Sequence, residues 1–326
     1  MLIGEGGVLA TFPLVQSFEG DGEAAAVGVA VCDGAGQISA ESSPETLQTL
    51  HDRARDGAPL AEVILGLLYH HGQTVAQDDR EAARWFGRAA EQGEPYGQYC
   101  LGLSYFSGRG VPESDAEAAT WFWRAAEQGL ASAQFYLGVM SYAGLGVTPD
   151  MKRARIFFRL AGEQGHVRAQ ALLGIMSMEG TDTPANAAEA RRWFEYAAAQ
   201  GDLESQFRLG LMCSADRQET DQDTREKLDW FRRAADGGHA TAQLIMGISC
   251  RSGRDMPQDL VEAYKWLSLA ASREPSDENR ATAIHECEAT AAQMTSAQLA
   301  EAQRRARAWI KAGDANNPRE TFAPTK

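Results

Sequence analysis

Hydrophobic positions recur along this chain in blocks of 36 residues. Each block carries an apolar residue followed by glycine, then an aromatic residue 19 or 20 positions later and a small pair four positions after that. The glycines are 36, 36, 36, 36 and 37 residues apart, so six copies stay in register and define an internal repeat. The apolar-glycine pairs are Leu65-Gly66, Leu101-Gly102, Leu137-Gly138, Leu173-Gly174, Leu209-Gly210 and Met246-Gly247, and the aromatic residues are Trp85, Trp121, Phe157, Trp193, Trp230 and Trp266.

The second copy predicts two helices joined by a short turn. Helix A runs from about Pro95 to Phe106, because apolar and small residues there recur at helical spacing. The segment from Gly108 to Pro112 ends it, since glycine supplies a positive φ and proline cannot continue a helix. Helix B runs from about Asp115 to Gln128, with Trp121 filling the space between hairpins. One hairpin cannot bury its apolar face alone, so stability must come from stacking neighbours.

This pattern predicts an all-α fold of about six 36-residue helix-turn-helix repeats with helical caps. Thr295 to Gln298 has the sequence of a capping box that opens the last helix. The expected organisation is a disordered acidic arm (1–43), an N-terminal capping helix (44–57), six repeats (58–273), C-terminal capping helices (274–312) and a disordered tail (313–326).

Charge argues against two classes of partner. The 326 residues include 31 Lys and Arg against 45 Asp and Glu, a net charge of -14, whereas nucleic acids and anionic membranes attract basic surfaces. Residues 1–50 hold seven of the acids and no Lys or Arg. No apolar run approaches the roughly 18 residues that span a bilayer, and no basic leader precedes Arg53. We therefore expect no membrane insertion and a cytoplasmic location, or a periplasmic one if the true start lies upstream.

Residues with catalytic or ligating chemistry do not form a recognisable constellation in the sequence. The five cysteines include no Cys-x-x-Cys pair, and Cys213 and Cys250 occupy a position that is Tyr in the first two copies, which predicts small core residues. His166 and His239 follow helix-ending glycines at equivalent repeat positions, so the repeat accounts for them. There is no phosphate-binding loop and no Ser-x-x-Lys. The sequence thus predicts no metal, no cofactor and no enzymatic activity.

The motif Ala-x-x-x-Leu-Gly-x-x-Tyr-x-x-Gly-x-Gly-Val, followed by Ala-x-x-Trp-Phe-x-x-Ala-Ala-x-x-Gly, closely resembles the Sel-one-like repeat (SLR) family. Residues 97–129 and 133–165 match it best. The resemblance implies a right-handed α/α superhelical solenoid related to tetratricopeptide arrays. It also implies a role in protein–protein contacts, often as a scaffold or adaptor in bacterial signalling or envelope processes.

Positions that vary between copies are the candidates for recognition. The residues six and two before and two after each Leu-Gly glycine form one stripe on helix A, rich in Tyr, Met and Arg, which suit binding hot spots. If helix A lines the concave face, as the resemblance implies, the stripe forms a groove for a partner protein or peptide. Its predicted partner-binding residues are Tyr96, Tyr136, Met140, Arg168, Met176, Arg208 and Met212.

Three other readings remain beside a monomeric, non-catalytic scaffold. In the first, the stripe side chains pack between adjacent A helices and bind no partner, since Met at helical spacing is usually part of the core. In the second, the protein is a regulatory inhibitor that sequesters a single enzyme or receptor. A hydrolase acting on β-lactam-like or peptidoglycan-like ligands is the third, and the missing Ser-x-x-Lys argues against it.

Overall fold

A computed structural model describes residues 44–72, 74–213, 220–274 and 276–316. Regular structure within these residues is entirely helical and comprises fifteen α-helices. They are α1 (Pro44–Arg55), α2 (Pro59–His71), α3 (Asp79–Glu91), α4 (Pro95–Ser107), α5 (Asp115–Glu127), α6 (Ala131–Ala143), α7 (Met151–Glu163), α8 (Val167–Glu179), α9 (Ala187–Ala199), α10 (Leu203–Cys213), α11 (Asp221–Gly237), α12 (Ala240–Ser252), α13 (Leu260–Arg273), α14 (Asp277–Ala291) and α15 (Ser296–Asn316).

The chain divides into two compact units, Met1–Phe157 and Phe158–Lys326, and the division falls within α7. In the first unit, α2 pairs with α3 and α4 with α5; in the second, α8 pairs with α9, α10 with α11 and α12 with α13. These hairpins confirm the predicted all-α solenoid of helix-turn-helix repeats. The predicted disordered arm (1–43) lies outside the described residues. So does most of the predicted tail (313–326), although α15 continues to Asn316, past the predicted end of the cap.

Close approach within each hairpin depends on the glycine of the Leu-Gly pair. A Cβ added to Gly102 would lie 2.7 Å from Cε1 of Phe122, and one on Gly66 would lie 2.4 Å from Phe86. Phe122 has no exposed surface, and its ring rests on the backbone of α4 where a side chain would otherwise be. Gly174 and Gly210 meet Phe194 and Phe231 in the same way, and Gly247 meets Leu267.

In the five hairpins that lie within one unit, the residue after the aromatic column therefore fills the space inside the hairpin. Trp121 packs against the cluster that contains Phe86 and Ala90 of the preceding hairpin, which agrees with its predicted place between hairpins. Trp121 is only half-buried, and the Arg124 guanidinium lies 4.4 Å from the centroid of its ring. Trp85 and Trp266 are buried, at 9% and 4% exposure, so the column is not uniform. The interior position faces the partner helix directly, whereas the residue before it is rotated by about 100° on helix B toward the edge of the hairpin.

Two columns of glutamine connect successive hairpins. The Nε2 of Gln98 donates to the backbone oxygen of Ala90 at 3.4 Å, and Gln170 donates to Gly162 at 2.8 Å. These carbonyls lie in the last turns of the preceding B helices and already accept one backbone N–H, from Gly93 to Ala90 and from Gly165 to Gly162, both at 3.0 Å, so the glutamine adds a second hydrogen bond. Gln128 and Gln200 then donate to the side-chain oxygens of Gln98 and Gln170, at 2.9 and 2.8 Å. Gln134, Gln206 and Gln243 make the same backbone contact as Gln98.

The first repeat replaces this glutamine with a buried glutamate. Glu62 has no exposed surface; its carboxylate accepts from Nε2 of Gln92 at 2.6 Å and lies 2.9 Å from Nη2 of Arg88. Arg88 also donates to the backbone oxygen of Ala54 at 3.0 Å, which ties α1 to the first hairpin. Burial raises the pKa of Glu62, and the charge of Arg88 and the hydrogen bond from Gln92 lower it by less.

The last helices cover the end of the second unit. Thr295 and Gln298 form the predicted capping box: Thr295 N–H donates to Gln298 Oε1 at 2.9 Å, and Gln298 N–H donates to Thr295 Oγ1 at 3.3 Å. Ala306 of α15 joins the apolar cluster of the sixth repeat, with Trp309 packed against it. The Arg273 guanidinium lies 4.6 Å from the Trp309 ring, so α15 covers apolar surface of the terminal hairpin.

We expect Gly102→Ala to destabilise the protein by about 1–3 kcal/mol, because the new Cβ would displace the buried Phe122 ring. Gly87→Ala in α3 is the matched control, since nothing lies within 4 Å of a Cβ added there. That change should be neutral or stabilise by up to about 1 kcal/mol through helix propensity. Urea denaturation of both variants measures the difference, and equal effects would contradict the packing argument.

We expect Glu62→Gln to change stability at pH 7 by less than about 1 kcal/mol, because a glutamine at this position would reproduce the contacts that Gln98 makes in the next repeat. Glu62→Ala should cost about 2–3 kcal/mol, because it removes a fully buried side chain together with its contacts to Arg88 and Gln92. The raised pKa means that the folded state binds the proton more tightly than the unfolded state does. Wild type should therefore gain stability relative to E62Q as the pH falls from 7 toward 4.5. An unchanged difference across that range would exclude a buried carboxylate with a raised pKa.

Candidate partner-binding surfaces

Three stripe residues of the first unit were predicted to bind a partner. Tyr136 is 5% exposed and its ring stacks on Phe122, with centroids 5.0 Å apart and planes 17° apart. Met140 has no exposed surface. Tyr96, in the first turn of α4, is half-buried and keeps part of its surface accessible. Only Tyr96 of these three therefore presents surface to a partner.

The second unit holds the other four stripe residues. Met176 is 3% exposed and belongs to the core of the fourth repeat. Arg168 at the start of α8 and both Arg208 and Met212 on α10 are half-buried. For Tyr136, Met140 and Met176 the structure thus agrees with packing between helices, the alternative reading. The partner-binding prediction stays a prediction for Tyr96, Arg168, Arg208 and Met212.

Arg208 belongs to a polar network on α10. Its Nε lies 2.6 Å from Glu204 Oε1, and Glu204 Oε2 lies 3.1 Å from Nε2 of His239. His239 Nδ1 accepts from the N–H of Ala242 at 3.2 Å, so the proton of the neutral ring is on Nε2 and is donated to Glu204. The hydrogen bond from His239 lowers the pKa of Glu204; burial opposes this shift, and the nearby charge of Arg208 adds to it. The network fixes where the Arg208 guanidinium lies.

The capping contact explains both histidines that the repeat pattern singled out. His166 Nδ1 accepts from the N–H of Ala169 at 3.2 Å, as His239 does from Ala242. Each ring caps the first turn of an A helix. The prediction that the repeat accounts for these residues is confirmed.

A groove on the B-helix side of the first unit carries an exposed tryptophan that sequence reasoning overlooked. The groove has a volume of about 600 Å³ and lies between α5 and α7. Trp123 is 39% exposed, donates from Nε1 to Glu127 at 2.8 Å and meets the edge of Phe157, with centroids 5.7 Å apart. The Arg153 guanidinium lies 5.1 Å from the Trp123 ring. Comparison between the copies could have found Trp123, because no other copy has an aromatic residue at this position. The equivalent residues are Gly87, Arg159, Glu195, Arg232 and Ser268.

Cys213, Cys250 and Cys287 are free thiols that lie in structural surroundings. Cys213 and Cys250 are buried, at 7% and 4% exposure, which confirms their prediction as core residues. Burial raises the pKa of Cys213, and it raises the pKa values of Cys250 and Cys287 to about 11. These thiols are protonated at neutral pH and are poor nucleophiles.

Across the described ranges, no three His, Cys, Asp or Glu side chains are grouped so as to hold a metal ion. None of the helices in this part of the chain combines the length and the apolar character needed to cross a membrane.

The Sel1 repeat model matches six consecutive segments of this chain: 59–94, 95–130, 131–166, 167–202, 203–239 and 240–274. The chain belongs to the Sel1 repeat family. Sel1 repeat proteins generally act as scaffolds for protein interaction. Among curated proteins, none shows significant sequence similarity to this chain.

Two solved structures of the family are similar to this Sel1 repeat protein. A Sel1 repeat protein from Oxalobacter formigenes is 29% identical, with a TM-score of 0.64, and the match covers 70% of this chain and 93% of that one. The second is c5321, described as a protective antigen of uropathogenic Escherichia coli with an SLR fold. It is 22% identical with a TM-score of 0.52, covering 89% of this chain and 77% of that one, and it supports the fold alone.

We expect Glu204→Gln to weaken the dependence of stability on acid pH. A lowered folded-state pKa stabilises the protein at pH values above the unfolded value near 4.5, and this stabilisation is lost as the pH falls through the folded value. Wild type should therefore lose more stability than E204Q between about pH 5 and pH 3. Thermal denaturation across this range measures the effect, with Glu179→Gln, an exposed carboxylate of α8, as the control. Parallel curves for wild type and E204Q would contradict it.

Proposed function

We propose that this Sel1 repeat protein is a non-catalytic scaffold or adaptor that binds a partner protein or peptide through the exposed parts of its A helices. One observation carries the proposal. Columns that maintain the hairpins hardly change between copies, whereas the accessible stripe positions carry Tyr96, Arg168, Arg208 and Met212. Residues of these types dominate protein-binding hot spots.

The stripe residues of the second unit indicate the chemistry of the partner more specifically than those of the first unit. Arg208 is oriented by Glu204 and lies 5.9 Å from the Phe194 ring centroid, so less side-chain entropy is lost when it binds an acidic group. Met212, one turn further along α10, adds an adaptable apolar contact. These features favour a partner that presents carboxylates next to an apolar side chain.

The proposal includes a monomer in a reducing cytoplasm. The free thiols of Cys213, Cys250 and Cys287 support the reducing compartment. The alternative function is a regulatory inhibitor that sequesters one enzyme or receptor. Stoichiometry separates the two, because an inhibitor forms a single tight 1:1 complex whereas a scaffold holds several partners at once.

Charge reversal at Arg168 and Arg208 tests the surface. We expect R168E/R208E to lose at least about tenfold in affinity for partners captured by the wild-type protein, since carboxylates would then face carboxylates. The matched control is R192E/R225E, which makes the same change of charge at two exposed positions on B helices of the same unit. Circular dichroism verifies the fold of both variants. Equal partner capture by the two variants would refute the proposed surface.

A further inference from the structure

The groove beside Trp123 differs in chemistry from the equivalent position one repeat later. There Arg159 forms an ordinary exposed ion pair with Glu189, at 3.1 Å. In the groove, Trp123 and Arg153 occupy the two corresponding positions and meet through the face of the indole ring instead. An exposed aromatic ring under a guanidinium stabilises the fold no better than an ion pair would, yet it offers a flat apolar surface beside a positive charge. This combination suits a ligand with both aromatic and acidic groups.

Arg153 and Phe157 form the α7 side of the groove, and the exposed residues next to them on α7 add charge and apolar surface beside it. Lys152, Arg153 and Ile156 are exposed in the part of α7 that belongs to the first unit, and Ile156 is 59% exposed. Between Met151 and Phe157 the helix contains three basic residues and no acidic one. The aromatic lining of the groove is Trp123 and Phe157, and its charged lining is Arg124, Glu127 and Arg153, with the exposed Lys152 adjacent to Arg153 in the chain. Its volume of about 600 Å³ is enough for two or three side chains.

One segment of this chain has the complementary composition. Residues 1–43 contain six acidic residues and no basic one. Within them, the segment 12–18 carries the apolar residues Phe12, Leu14, Val15 and Phe18 and is followed at once by Glu19, Asp21 and Glu23. We propose that the segment 12–23 docks into the Trp123 groove of the same molecule, with Phe18 against Trp123 and the acids facing Lys152 and Arg153.

The connection between segment and groove permits this contact. Twenty residues separate Glu23 from Pro44, where α1 begins, and an extended chain of that length reaches roughly 65 Å. Trp123 lies on α5, four helix-to-helix contacts from α1, or roughly 40 Å at 8–10 Å each. A tether of this length gives an effective concentration of about 1 mM, so even a weak contact is well populated. The tether favours this segment over a second copy of the chain.

Photocrosslinking of the full-length protein tests the contact. With p-benzoylphenylalanine in place of Phe18, we expect crosslinks to peptides that contain Trp123 or residues 152–157. A mixture of isotopically light and heavy chains should yield crosslinks within one chain only. The yield should fall at least about fivefold in K152E/R153E, and also as salt rises from about 50 to about 500 mM. Acidic residues in the first turn of α7 suit the helix dipole, so this variant should keep its fold.

Two further variants separate charge from aromatic contact. R80E/R84E makes the same change of charge on exposed residues of α3 and should leave the yield unchanged. Trp123→Arg introduces the residue that Arg159 and Arg232 represent in other copies, so it should fold normally while lowering the yield. Crosslinks to other surfaces, crosslinks between light and heavy chains, or equal yields from K152E/R153E and R80E/R84E would each overturn the proposal.

Discussion

The contact between one buried ring and one glycine backbone determines how closely the two helices of a repeat approach. In the second copy, Phe122 lies so near α4 that even a methyl group on Gly102 would overlap with it. This leaves almost no room for substitution at either position. The rest of the hairpin follows from that distance, because Leu101 and Ala118 are buried on either side of the contact. The interval of 36 residues is the spacing at which this unit can be stacked again.

Polar groups connect the hairpins, and the exceptions to their pattern show what the pattern requires. Wherever a buried glutamine reaches the preceding B helix, it adds a second hydrogen bond to a backbone carbonyl near the end of that helix. At the first repeat the preceding element is the capping helix α1. There Arg88, which is paired with Glu62, donates to the backbone oxygen of Ala54 instead. In the fifth repeat, Lys227 replaces the usual alanine of helix B, and its Nζ lies 3.1 Å from Asp255 in the next loop. Both exceptions bring a charge and its counterion together, as burial demands.

The two surfaces of interest differ in how they arise. On the A helices, large apolar stripe residues such as Met140 and Met176 are buried in the core, while Arg208 remains partly accessible. The B-helix groove arises where a normally polar position has become Trp123. Recognition by this protein is therefore expected at departures from the repeat, since the columns that stay constant between copies are committed to packing.

The sequence by itself determined the repeat, its two helices, the glycine turns and the capping box at Thr295, because these depend on spacing and on local backbone preferences. It did not determine which residue of the Trp121-Phe122 pair fills the hairpin, since both are aromatic and adjacent. Nor did it separate buried Tyr136 from half-buried Tyr96, which share the stripe. Only the tertiary structure decided these points. Burial depends on the neighbouring helix and on how a side chain is rotated toward it, and periodicity within one helix carries no record of that neighbour.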